Sequence, residues 1–263
     1  MSLLDHLSAP VKYFAKAISV LDEVTSAGVH ALFRAPDSES GGLVALPKEK
    51  LDIYREELVA NRLLGLSDGK WRLHPLFRNS LRQSLKERDP LGYRELNRRA
   101  AKHHLAQEAP VHTTALEHLY ESEAYDEFME LLKGNSAQLV RSGHQHKLGV
   151  WLDGLADKLT ELPIWANYEL ANIHSLRGNW DLTREYLERC RESLKHRNEP
   201  EDVLWLPKIN AAYAVMCARR GWVADARTYC RRGLDYIRQV RRRMEIEPQI
   251  ERELVLLQLR LLD

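Results

Sequence analysis

One stretch, Leu63 to Arg82, constrains this chain more than any other. Two short apolar runs flank Ser67-Asp68-Gly69-Lys70, where Asp-Gly supplies the positive φ that a tight hairpin turn needs. Pro75 then occupies a first helical position, and Phe77, Leu81 and Leu85 recur every four residues, so a helix leaves the second strand directly. Nothing else in the chain reads as strand. A β-hairpin wedged between helices is a wing, and the segments around it can be read by what they pack against it.

Upstream, Ser8 and Pro10 start a helix whose Val11, Phe14, Ile18 and Leu21 fall at spacings of three and four. Thr25 or Ser26 caps a second, shorter helix carrying Val29, Leu32 and Phe33, so two helices follow each other as in a helix-turn-helix. Residues 34–47, with Ser-Gly-Gly and two prolines, read as a surface loop. A third helix places Leu51, Tyr54, Leu58 and Val59 on one side and runs into the hairpin. Helix, helix, helix, hairpin, helix is winged-helix order, and it predicts a winged-helix domain over residues 1–88.

A winged helix suggests DNA, so charge decides how far that suggestion carries. From Lys48 to Arg62 four basic residues meet four acidic ones, which suits a packing or regulatory helix better than one lying among phosphates. The whole chain carries a formal charge of only +1, so an anionic partner must be served by a local patch. Lys70 and Arg72 on the wing form one such patch. Arg227, Arg231, Arg238 and Arg242, at steps of four, seven and four along one helix face, form the other. These residues carry the alternative reading, a DNA-binding protein using the wing and the arginine-rich C-terminal region.

Several runs resemble the MalT-type signal-transduction ATPases: Ser-Val-Leu-Asp at 19–22, Glu-Glu-Leu-Val-Ala-Asn-Arg-Leu-Leu at 56–64, Trp71-Arg72-Leu73-His74-Pro75-Leu76-Phe77, and Arg-Arg-Ala-Ala at 98–101. The resemblance implies a winged helix followed by a helical-repeat sensor, the middle of a regulator that also has an ATPase domain and often a LuxR-type DNA-binding domain. No Gly-x-x-x-x-Gly-Lys-Ser/Thr loop is present, so the ATPase part is not expected here, nor is the LuxR-like part. The resemblance makes His74 the residue that would sense nucleotide phosphate, and only with a partner ATPase domain. The plainer reading of His74 is a hydrogen bond across the strand-to-helix junction.

From Asp89-Pro90 onward the periodicity is helical, which predicts a mostly α protein with a TPR-like helical-repeat domain over residues 89–263. Glu123, Gly178 and Gly221 head equivalent turns. Small residues recur at Ala171, Gly178, Thr183 and Cys190 and again at Ala214, Gly221, Ala226 and Gly233, where paired helices must approach closely. The two glycines lie 43 residues apart, longer than the ~34 of a regular tetratricopeptide unit, so the repeats are irregular. Such stacked pairs leave a concave groove. The repeat register lines it with Tyr168, Asn172, Ser175, Lys208, Ala211 and Arg219, a mix suited to a small inducer or a protein partner.

The sequence carries no nucleophile elbow, and its three cysteines show no Cys-x-x-Cys spacing, which predicts a binding protein in the reducing cytoplasm, not an enzyme. No run of 18 apolar residues exists to cross a membrane. The eleven histidines, His103-His104, His112, His144 and His146 among them, form no tetrahedral ligand set at metal-site spacing, so neither metal nor cofactor is expected. The closing Leu-Val-Leu-Leu-Gln-Leu-Arg-Leu-Leu run has leucines on more than one side. It predicts weak self-association through Leu257 and Leu261.

Overall fold

A computed structural model describes residues 6–34, 46–67, 70–107, 112–195, 202, 204–243, 251–252, 254–255 and 258. The protein is mostly α: 78% of these residues are helical and 3% are strand. Packing divides the chain into two compact units, Met1–Asn135 and Ser136–Asp263.

The first unit starts with α1 (Ala9–Ile18), α2 (Ser26–Phe33) and α3 (Lys48–Ala60). Ser8 occupies the N-cap position of α1 without a side-chain bond, whereas the Thr25 hydroxyl accepts the Gly28 amide at 3.0 Å and fixes the start of α2. The hairpin follows as β1 (Leu64–Ser67) and β2 (Lys70–Leu73), antiparallel, with Leu64 opposite Leu73 and Ser67 opposite Lys70. Its Asp68-Gly69 turn lies outside the described residues. Leu64 and Leu73 are buried, Trp71 packs half-buried against the same core, and the Val24 amide donates to the Trp71 carbonyl at 2.8 Å, so the hairpin is tied down at its base. Pro75 opens α4 (Pro75–Arg88).

These elements share a core built on Phe14, stacked on Phe33 at 5.6 Å and tilted against Tyr54 at 5.7 Å, with Leu51, Leu58, Leu81 and Leu85 filling around it. The helices α5 (Pro90–Leu105) and α6 (His112–Glu121) belong to the same unit, as does the start of α7 (Tyr125–Arg141). The compact unit thus runs past the 88/89 boundary read from the sequence, to 135. Tyr93, Leu96 and Ala100 of α5 complete the first core. The Arg99 guanidinium, on the same helix, donates at 2.8 Å to both the Leu32 and Arg34 carbonyls. These bonds satisfy orphan carbonyls at the end of α2 and lock α5 to it.

The second unit holds α8 (Gln145–Ala156), α9 (Ile164–Leu176), α10 (Trp180–Leu194), α11 (Trp205–Arg219) and α12 (Val223–Arg243). The small residues sit where helices meet: Ala171, Thr183 and Cys190 are at most 1% exposed, and Ala214 and Ala226 are also buried. Gly178 and Gly221 take φ of +75° and +76°. Behind each, an amide reaches back five residues, Asn179 to the His174 carbonyl at 2.9 Å and Trp222 to the Cys217 carbonyl at 2.8 Å. This is the Schellman closure of a helix end. The same bond follows Gly143, and it also follows Arg62 and Glu123, which take φ of +57° and +56° without being glycine.

Candidate functional site

A cavity of about 700 Å³ opens between α9 and α11. Tyr168, Asn172 and Ser175 stand at i, i+4 and i+7 on α9 and so share a face, and Ala211, Val215 and Arg219 do the same on α11. Alanines at 171, 211 and 212 leave the floor open, while Gln145 and Thr183 close the sides. Five of the six groove residues read from the repeat register therefore line one concavity. Lys208 is outside its wall, with its ammonium 5.0 Å above the Trp205 ring, against which Tyr168 packs edge-on at 5.7 Å.

Two charges give the cavity its polarity. The Arg219 guanidinium donates to the Ser175 hydroxyl at 3.4 Å and meets no acid within ion-pair distance among the described residues. Glu169, which the register reading left out, is the other. Burial pushes its carboxyl up from the ordinary range, with the field of Lys208 pulling the opposite way. Glu169 sits about 100° around the helix from Tyr168 and so fell off the predicted face. The signal that marks it is that α9 contains no other carboxylate or fixed charge. The wall offers a cation for an anionic group, a partly desolvated carboxyl for a donor, amides and hydroxyls for orientation, and an apolar floor.

The other predicted site residues are placed differently. Lys70 and Arg72 converge on one internal acid, Glu23, each at 2.8 Å, and these bonds hold its carboxyl below the usual range. The wing cations are thus committed to a surface ion-pair triad that the sequence reading missed. On α12, Arg227, Arg231 and Arg242 are exposed with no acidic partner among the described residues, and Arg238 pairs with Asp235 at 3.0 Å. His74 is exposed at the N-cap of α4. Its carbonyl accepts the Arg78 amide at 2.8 Å, but its side chain makes no cap bond. Leu257 and Leu261 lie outside the described residues; Leu254, the described leucine of that run, is fully buried beside Ile237 and Leu204.

His103, His104 and His118 form a packing cluster. The His104 and His118 rings stack at 5.4 Å, and His118 Nδ1 lies 2.9 Å from Asn97 Oδ1. Because the Asn97 amide nitrogen donates to the Tyr93 carbonyl at 2.9 Å, its oxygen faces His118, which assigns the proton to Nδ1 of a neutral ring. Burial pushes this imidazole down to about 4. Among the described residues no group of three or more His, Cys, Asp or Glu is arranged to hold a metal ion. Burial likewise pushes the Cys190 thiol up to about 12, so at neutral pH it is a packing group and not a thiolate. Among the described residues, no helix is long and apolar enough to cross a membrane.

No family model matches the chain, and no curated protein and no solved structure matches it at a significant level.

Proposed function

We propose that this chain is the sensor portion of a MalT-like regulator, a winged-helix module followed by TPR-like repeats, that binds a small inducer or a protein segment in the α9/α11 cavity. One observation carries the reading. Residues chosen from repeat spacing alone, Tyr168, Asn172, Ser175, Ala211 and Arg219, line a single cavity whose charged groups are left open to a ligand. The size fits a metabolite or a few residues of peptide. The module binds and reports; it does not catalyse. The resemblance also gives His74 a phosphate-sensing role beside a partner ATPase domain, and the exposure of its side chain at the start of α4 is compatible with that role.

Isothermal calorimetry against a metabolite panel tests the proposal, with Tyr168→Ala and Arg219→Ala as probes. Each substitution removes a direct ligand contact and weakens binding by roughly tenfold or more. Wild-type affinity in both variants places the site elsewhere.

A second reading, binding to a nucleic acid backbone, is favoured by Arg227, Arg231 and Arg242 of α12, which are exposed and meet no acid among the described residues. It rests on that helix alone, since the wing cations are occupied by Glu23. A gel shift at low salt that fades steeply at moderate salt supports it, and absence of a shift at low salt removes it.

A further inference from the structure

Two opposite charges share the wall of the α9/α11 cavity and do not meet. The Arg219 guanidinium stops at the Ser175 hydroxyl, 3.4 Å away, and Glu169 has neither a hydrogen bond nor an ion pair among the described residues. Elsewhere on the chain such groups close on each other, as Glu23 does with Lys70 and Arg72.

Backbone geometry holds these two apart. Ser175, where the guanidinium rests, stands six residues past Glu169 on α9, roughly 9 Å along the axis. Side chains lean toward a helix N-terminus, which carries the Glu169 carboxyl still further from the Ser175 end. Asn172 stands halfway between them on α9, and Ala211 and Val215 add apolar wall from α11.

Both charged heads are reachable. Arg219 is exposed, and no oxygen of the half-buried Glu169 is among the described polar atoms sealed without a partner. A half-buried carboxylate with no partner is costly, and burial pushes its carboxyl up against the opposing field of Lys208. An ammonium brought by a ligand removes that cost. A ligand carrying only an anion would gain Arg219 and be repelled by Glu169, and one carrying only a cation would meet the reverse. An α-amino acid is too short, since its charges lie about 3 Å apart and a hydrogen bond of about 2.9 Å at each end does not span the wall.

Resting on the reading of this cavity as the ligand site, we propose that its ligand is a linear amino-carboxylate, with the carboxylate on Arg219 and Ser175 and the ammonium, several bonds away, on Glu169. Two sources present that chemistry: a free ω-amino acid, or a peptide of about three residues with free termini, roughly 10 Å long when extended. Calorimetry on the full chain at low salt separates them with ε-aminohexanoate and trialanine, against hexanoate, hexylamine and glycine as controls. At least one of the two binds about tenfold or more tighter than every control. Binding of ε-aminohexanoate alone identifies an ω-amino acid, and binding of trialanine alone identifies a peptide.

Glu169→Gln weakens that binding at least about tenfold, while Glu161→Gln, exposed and outside this cavity, leaves it unchanged. The comparison with hexanoate and glycine needs no substitution, so it decides even if Glu169→Gln does not fold. Hexanoate or glycine binding as tightly as both test compounds overturns the proposal, and so does silence from both at millimolar concentration. If both are silent while a member of the metabolite panel binds and loses affinity in Arg219→Ala, this inference fails and the sensor reading stands. If the panel is silent too, both fail.

Discussion

The two units differ in what their charged groups meet, although neither closes every polar atom: among the described residues Arg78 Nε, Arg99 Nη2, His104 Nδ1 and His112 Nδ1 in the first and Asn167 Oδ1 in the second are buried without a hydrogen-bond partner. In the first, charges and amides close on one another: Glu23 takes Lys70 and Arg72, Glu121 takes the Tyr93 hydroxyl at 2.8 Å and Lys86 at 3.0 Å, Arg99 takes two carbonyls, and Asn97 bridges Tyr93 to His118. In the second, two charged groups line one cavity without meeting an opposite charge within ion-pair distance among the described residues: Glu169, and Arg219, which reaches only the Ser175 hydroxyl at 3.4 Å. A polar group answered from within contributes to the fold. One that faces a cavity unanswered does not, and its use has to come from outside the chain. The contrast therefore rests on the α9/α11 cavity, where Glu169 and Arg219 stand on the wall.

Substitutions can break that contrast. The largest effect belongs to the first core. Phe14→Ala removes a ring with no exposed surface from between Phe33 and Tyr54 and costs about 4 kcal/mol by urea denaturation. A mild effect would mean the core is looser than its contacts imply.

Acid comes next. The His118 imidazole titrates near 4 in the fold and near 6.5 unfolded, because burial, then His104 and Arg82, disfavour its charge more than Asp22 and Glu121 favour it. Between these values the unfolded chain holds a proton that the folded chain does not, so stability is complete above pH 6.5 and falls as pH drops toward 4. The loss is about 3 kcal/mol from this group. His118→Gln, measured by denaturation over the same range, flattens that limb; an unchanged pH profile would show that another group drives it.

Smaller still are the helix ends. Gly221→Ala forces a Cβ into φ of +76° and costs about 1 kcal/mol, while Glu123→Gly relieves φ of +56° and gains about half that, both read from thermal midpoints. If both changes are neutral, the Schellman closures are not under strain.

Local physics was legible in the sequence and long-range closure was not. Pro75 and Thr25 announced their helices because capping acts within a few residues, and Gly178 and Gly221 announced their turns for the same reason. Repeat spacing was enough to bring Tyr168, Asn172, Ser175, Ala211 and Arg219 to one wall, since helix faces follow from the 3.6-residue period alone. The tie between α5 and α2 was hidden because Arg99 reaches carbonyls 65 and 67 residues away. The capture of Lys70 and Arg72 was hidden likewise, because Glu23 lies 47 and 49 residues before them. At Arg62 no glycine marked the positive φ, and at Glu123 the turn was legible from its equivalence to those at Gly178 and Gly221 while its positive φ was not.

The stability of Glu169→Gln tests the central contrast most directly. Burial raises the folded carboxyl above its ordinary value, so ionising it near neutral pH weighs against the fold, and a neutral amide of the same shape relieves that cost. If Glu169 is kept for a ligand, urea denaturation at neutral pH finds Glu169→Gln at least as stable as wild type, with a gain on the order of 0.5 kcal/mol that vanishes in acid. A loss of about 1 kcal/mol or more would make Glu169 a structural residue, answered from within like those of the first unit, and would contradict the reading of the cavity as a binding site.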